Sequence, residues 1–238
     1  MLKKGDKIEG FRPVDLIKIP FKDENGGLKS AKQLDKEVFD AVSKTNELGK
    51  HVVLHTMDQS KLGYQSPSEE LLKKLSTLKN LSMQVIVDSA QLRMDPRDIQ
   101  NYLNKGYIVT ITGSKYFTGP PYSGALILPE KVSTLIQSVK NTLPVGLNNY
   151  YHHSDWPTSW FCSNDLSNGF NYGSYMRWNA AIVEMDRYYK TPILYRNIGI
   201  EMFCNFVEDS INEASFLEPI YGDETKTKSY NSKEFGIR

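Results

Sequence analysis

The spacing of apolar positions changes several times along this chain. Between Ser30 and Leu48, the residues Leu34, Val38, Phe39 and Val42 recur at helical intervals, and Gly49 supplies a stop. Residues 51–56 are β-branched and apolar, which predicts a strand followed by a loop over 57–65. Ser66, Pro67 and Glu69 read as a capping-box start for a helix ending near Asn80. Residues 83–87 predict a second strand that delivers Asp88. Asp95 and Pro96 open a short helix stopped by Gly106, residues 107–112 predict a strand that delivers Lys115, and residues 123–128 predict another, with Pro129 opening a helix. Continuous apolar strands alternating with helices predict an α/β fold, a three-layer sandwich around a mostly parallel sheet.

Beyond this alternation the pattern weakens. Residues 8–20 read as an extended run and 22–27 as a turn. The segment 141–173 is rich in Tyr, Trp, Asn, Ser and His and predicts a long loop. A helix is expected over 174–189 with Trp178, Ala181, Ile182 and Met185 on one face. Pro192 interrupts it, and a second helix is expected to about Ala214. Residues 216–221 read as the first strand of another domain, which divides the chain into a large domain over 1–190 and a linking helix with the start of a small domain over 191–238.

Composition narrows the function classes. With 29 basic and 28 acidic residues the net charge is +1, which gives no electrostatic argument for nucleic acid or an anionic membrane. Cys162 and Cys204 are too few for a disulfide framework and lack metal-ligand spacing. The first residues lead into no apolar run of a secretory leader, and no apolar stretch is long enough to span a bilayer. A cytoplasmic setting is the expectation.

The chemistry is concentrated in two segments. Val-Asp-Ser-Ala-Gln occupies 87–91, and Thr-Gly-Ser-Lys-Tyr-Phe-Thr-Gly-Pro-Pro occupies 112–121. Each follows a predicted strand, and ligands of open α/β sheets bind beyond the carboxyl ends of strands. An acid and a lysine presented this way suit pyridoxal 5'-phosphate, because the lysine forms a Schiff base and the acid keeps the pyridine nitrogen protonated. Asp88 and Lys115 lie twenty-seven positions apart, room for one helix and one strand.

These motifs resemble the class V aminotransferase group of fold-type I pyridoxal phosphate enzymes, which includes cysteine desulfurases and kynureninase-like proteins. The likeness spans roughly residues 8–190 and is sharpest at 55–67, 87–91 and 110–128. It implies that Lys115 forms the internal aldimine, that Asp88 pairs with the pyridinium nitrogen and that Gln91 lies near the ring's phenolic oxygen. It places Thr112 and Ser114 near the phosphate, Ser114 standing where desulfurases commonly carry histidine. Ser60 or Gln59, before Gly63, would reach the oxygen edge of the ring. Ser174, at a helix start, would donate to a phosphate through its hydroxyl and the helix N-terminus, a contact that the family often draws from the neighbouring subunit. The resemblance further implies a homodimer acting on an amino acid or another primary amine.

Two departures accompany it. The family is substantially longer, so this chain reads as the middle of an enzyme, without the phosphate-cradling loop upstream and with an incomplete small domain. The downstream reactive cysteine of a desulfurase is also missing, since Cys162 falls too near Lys115 and Cys204 falls in a predicted helix. Transamination is the expected reaction. The alternatives are C–S or C–C lyase chemistry, or a truncated, non-catalytic domain that packs with a partner. Other candidates have plainer readings: His152, His153 and Asp155 as a solvent-facing group rather than a metal site, His55 as a loop or structural residue, Arg177 as an ion-pair partner of Glu184 or a neighbour rather than a substrate anchor, and Trp156, Trp160 and Phe161 as dimer packing or core.

Overall fold

The computed structural model describes residues 10–11, 14–58, 65–139 and 142–217. Its centre is a four-stranded sheet in the order β1 (Val52–Met57), β2 (Met83–Ser89), β3 (Ile108–Thr112) and β4 (Gly124–Ile127). The first three strands are parallel, and β4 returns antiparallel to β3. The fold is therefore α/β with a mixed sheet, and the parallel core has one antiparallel edge. The connection from β3 to β4 contains no helix, which is why β4 reverses: a parallel neighbour would need a crossover of a dozen or more residues.

Helices α1 (Ala31–Glu47), α2 (Glu69–Ser76) and α3 (Pro96–Asn104) lie within the intervals that the sequence pattern assigns to them, α2 stopping four residues before its expected end near Asn80. Ser30 caps α1 in a capping box with Gln33, and the positive φ of Gly49 (64°) follows its end. The cap of α2 differs from expectation. Ser68, not Ser66, accepts from the Leu71 amide, and Asp35 in turn holds Ser68 through both its amide and its hydroxyl. Ser66 instead bridges back to Met57 as an isolated pair. Asp95 caps α3, with Pro96 in its first turn.

The register sorts the strands into two faces, because side chains alternate along each strand. Val52, Leu54, Val85, Val87 and Val109 point to one face. Val52 and Leu54 pack with Val38, Val42, Leu71 and Leu75, while Leu72 of α2 and Leu103 of α3 close over Val85, Val87 and Val109. On the other face Val53 and Leu126 remain 52% and 63% exposed.

Helix α4 (Glu130–Gln137) follows β4, with Pro129 at its N-terminus. A cavity of about 600 Å³ lies at the amino ends of the strands, lined by Leu75, Leu78, Met83, Tyr107, Val132 and Leu135 among others. The long aromatic segment carries three short 3₁₀ turns, η1 (Val145–Asn149), η2 (His153–Asp155) and η3 (Phe161–Asp165). Within it Trp160 and Cys162 are buried and Trp156 meets Trp160 edge-on at 5.7 Å, whereas Phe161 is exposed. Trp160 is thus core.

Helix α5 (Tyr172–Lys190) begins two residues earlier than its pattern suggests, capped by Asn171. Ala181 is fully buried, but Ile182, expected on the same packing face, is half exposed. Helix α6 (Ile193–Glu213) follows Pro192 and contains no buried residue. The expected strand over 216–221 falls mostly outside the described residues, and Phe216 and Leu217 are not in a strand. Among the described residues no helix is long and apolar enough to cross a membrane.

Candidate functional site

Strands β2 and β3 end side by side, and their register places Asp88 beside Thr110 and Ser89 beside Ile111. Asp88 lies in the last turn of pleat of β2, half-buried, on the less covered face. Its Oδ1 accepts the Ala90 amide at 3.0 Å, which fixes the carboxylate against its own strand end. Hydrogen bonds link this end to the next strand. Thr112 donates its hydroxyl to the Ala90 carbonyl at 3.4 Å, and Ser114 sits 3.0 Å away, hydroxyl to hydroxyl. The Ser114 amide also donates to the Thr112 hydroxyl. Asp88, Thr112 and Ser114 are therefore joined through Ala90.

Lys115 follows directly. Its side chain is exposed and makes no hydrogen bond or ion pair among the described residues. Its backbone is held: the carbonyl accepts from Thr118, the Gly119 amide donates to the Gly113 carbonyl, and the Gly113 amide donates to that of Ser123. This turn is tight enough to put two non-glycine residues at positive φ, Thr118 at 53° and Tyr122 at 68°. It is also clamped onto α5. A side chain at Gly113 would overlap the Ala181 methyl, and one at Gly119 would come within 2.8 Å of it. Phe117 is 4% exposed and meets the Tyr188 and Tyr189 rings, while the Tyr116 hydroxyl donates to that of Tyr188. Burial pushes the Tyr189 hydroxyl pKa upward.

The remaining expected site residues divide. Gln91 is half-buried in the turn after β2, adjoining Leu92, whose amide closes that turn on the Ser89 carbonyl. Ser174 lies in the first turn of α5, which is capped by Asn171. It is the third residue of α5, and its amide donates to the Asn171 side chain at 3.0 Å, so of the hydroxyl and the helix N-terminus expected to meet a phosphate the cap occupies the amide. It shares a helical face with Ala181, two turns on and about 10 Å along the axis. Ser60 and Gln59 lie outside the described residues.

Arg177 does not pair with Glu184, whose partner is Arg187 at 2.8 Å. His153 Nδ1 lies 2.9 Å from the Ser163 carbonyl, and His152 stands 3.8 Å from Asp155. Among the described residues no group of His, Cys, Asp and Glu is placed to hold a metal ion.

Sequence reasoning missed a second polar group at the same edge of the sheet. Asp58, one residue past β1, is 6% exposed and accepts the Tyr102 hydroxyl at 2.8 Å. Gln65 donates to the same hydroxyl at 3.3 Å. Burial first, and the Asp58 carboxylate second, push the Tyr102 pKa far upward. The signal was available: Asp58 ends the first strand as Asp88 ends the second.

Compared with known proteins, no family model, no curated protein and no solved structure matches this chain.

Proposed function

We propose that this chain is the large-domain portion of a pyridoxal phosphate-dependent enzyme of the class V aminotransferase type. The observation that carries the reading is the joining of Asp88, Thr112 and Ser114 at adjacent parallel strand ends, with Lys115 one residue on, its amine without a partner among the described residues. The donor set suits the cofactor. Asp88 keeps one carboxylate oxygen without a hydrogen bond among the described residues, available to a protonated ring nitrogen. Thr112 and Ser114 offer hydroxyls to a phosphate, and Lys115 offers the amine that an aldehyde captures. Gln91 lies in the adjoining turn. Ser174 would serve through its hydroxyl alone, since the cap holds its amide.

Bound there, pyridoxal phosphate supplies a carbonyl for amine substrates and a ring that withdraws electrons from the substrate's α-carbon. The protein's share is positional and proton-handling. Lys115, released by the incoming substrate amine, moves the proton at the α-carbon. Asp88 favours the positively charged ring through its adjacent carboxylate. The Gly113–Ser123 turn and its contact with α5 set the direction from which Lys115 approaches. The substrate is an amino acid or another primary amine and the reaction a transamination; the same residues would serve a lyase. A three-layer sandwich, the division at about residue 190 and a homodimer belong to the same proposal.

A non-catalytic domain that packs with a partner is the second reading, favoured by α6, which has Ile198, Met202, Phe203 and Phe206 exposed.

The test is to add pyridoxal phosphate to the purified chain, reduce with borohydride and map the modified lysine by mass spectrometry. The expected result is label on Lys115 that disappears in Lys115→Ala, with cofactor still bound in Asp88→Asn but most turnover lost. Scattered label, or full activity in Lys115→Ala, overturns the reading.

A further inference from the structure

We infer that Tyr102 is a positioning residue for Asp88, acting through Asp58; this rests on the reading of Asp88 as the acid that faces the cofactor ring. Three hydrogen bonds run in series. The Tyr102 hydroxyl donates to Asp58 Oδ1 at 2.8 Å. The Asp58 amide donates to the Asp88 carbonyl at 3.1 Å, extending the β1–β2 ladder by one rung. The Ala90 amide donates to Asp88 Oδ1 at 3.0 Å. The first bond fixes Asp58, the second fixes the Asp88 backbone, and the third sets its carboxylate.

The same residues close the neck of the segment after β1. The Met57 amide donates to the Ser66 carbonyl at 2.9 Å, and Gln65 reaches the Tyr102 hydroxyl from the far side of the neck. Tyr102 is well placed for this task because α3 presents it from the covered face. Its ring packs at 6.4 Å from that of Tyr107, and it joins the core cluster over Val85, Val87 and Val109. A rigid helix thereby controls a strand end that the ladder alone would leave to fray. Asp58 is buried and charge-assisted hydrogen bonds to buried carboxylates are strong, so losing this bond is felt locally.

The experiment has two readouts. In the cofactor-free chain, amide hydrogen exchange is measured at Asp58 and Ala90. In the loaded chain, pyridoxal phosphate affinity and the absorption maximum of the bound cofactor are measured. Tyr102→Phe keeps the ring and removes the hydroxyl. It should speed exchange at both amides and weaken cofactor binding by about tenfold each, with a shifted absorption maximum. Asp58→Asn retains an acceptor and should stay near the native values, whereas Asp58→Ala should reproduce Tyr102→Phe. This pair decides the matter if Tyr102→Phe does not fold. A lower melting temperature with native exchange at Ala90 and native affinity overturns the inference and leaves Tyr102 a packing residue. Failure of the native chain to label Lys115 overturns the cofactor reading instead, while the exchange data still decide whether the clamp exists.

Discussion

On the covered face of the sheet, Val85, Val87 and Val109 are at most 3% exposed. One residue along in the same strands, Ile86, Asp88, Ile108 and Thr110 are only half-buried, and at the sheet edges Val53 and Leu126 stand in solvent. The two faces share one backbone and one register, so their difference comes from what packs on them. The covered face meets α1, α2 and α3 and holds the fold together. The other leaves Asp88 and Thr112 only half-buried.

The contrast can be broken from either side. The largest effect is expected from Leu75→Ala. Leu75 is fully buried under the sheet, and urea unfolding should show a loss of about 3 kcal/mol; a loss below 1 kcal/mol would mean that the cavity beside Leu75 already relaxes the packing. Next is Gly113→Ala, whose methyl would meet Ala181 on α5. It should cost about 2 kcal/mol, and Ala181→Gly should recover part of this in the double variant. Additive losses would show that the Lys115 turn does not touch α5.

The third effect depends on pH. Burial and Asp58 hold the Tyr102 hydroxyl protonated well above the ordinary tyrosine value of 10.0. Above that pH the unfolded chain has lost a proton that the folded chain keeps. Stability from this group is therefore complete below pH 10 and falls as pH rises beyond it, by at most about 1.4 kcal/mol per unit. The difference between native and Tyr102→Phe unfolding curves at rising pH isolates it from Tyr107 and Tyr189, which shift in the same direction. The smallest effect is Leu126→Thr on the exposed face, within about 0.5 kcal/mol by thermal unfolding. A larger loss would show that something covers Leu126.

The strands and the first three helices were legible because local signals agreed with one another. β-branched runs, caps and glycine stops each marked a boundary from a few adjacent residues. The Ser66 cap failed because Ser66 and Ser68 both satisfy the short-range rule, and Asp35, distant in sequence, selects Ser68. The start of α5 was misplaced similarly: Asn171 lies three residues upstream of Ser174 and is the residue that caps the helix. Asp88 and Lys115 were legible from strand ends, but the link through Ala90 was not, since it depends on register. Tyr102 was invisible for the same reason, its partner lying 44 positions away. The antiparallel sense of β4 was readable in principle from the short connection that precedes it.

The turn after Lys115 has a practical consequence for anyone improving this protein. Thr118 is β-branched and held at a φ of 53°, a conformation that glycine adopts without penalty. Thermostability screens that sample this position should therefore select Thr118→Gly readily. On the proposed reading this turn carries Lys115 to the cofactor, so a library ranked on melting temperature alone would enrich variants with a looser Lys115 turn and should be screened for lysine labelling as well.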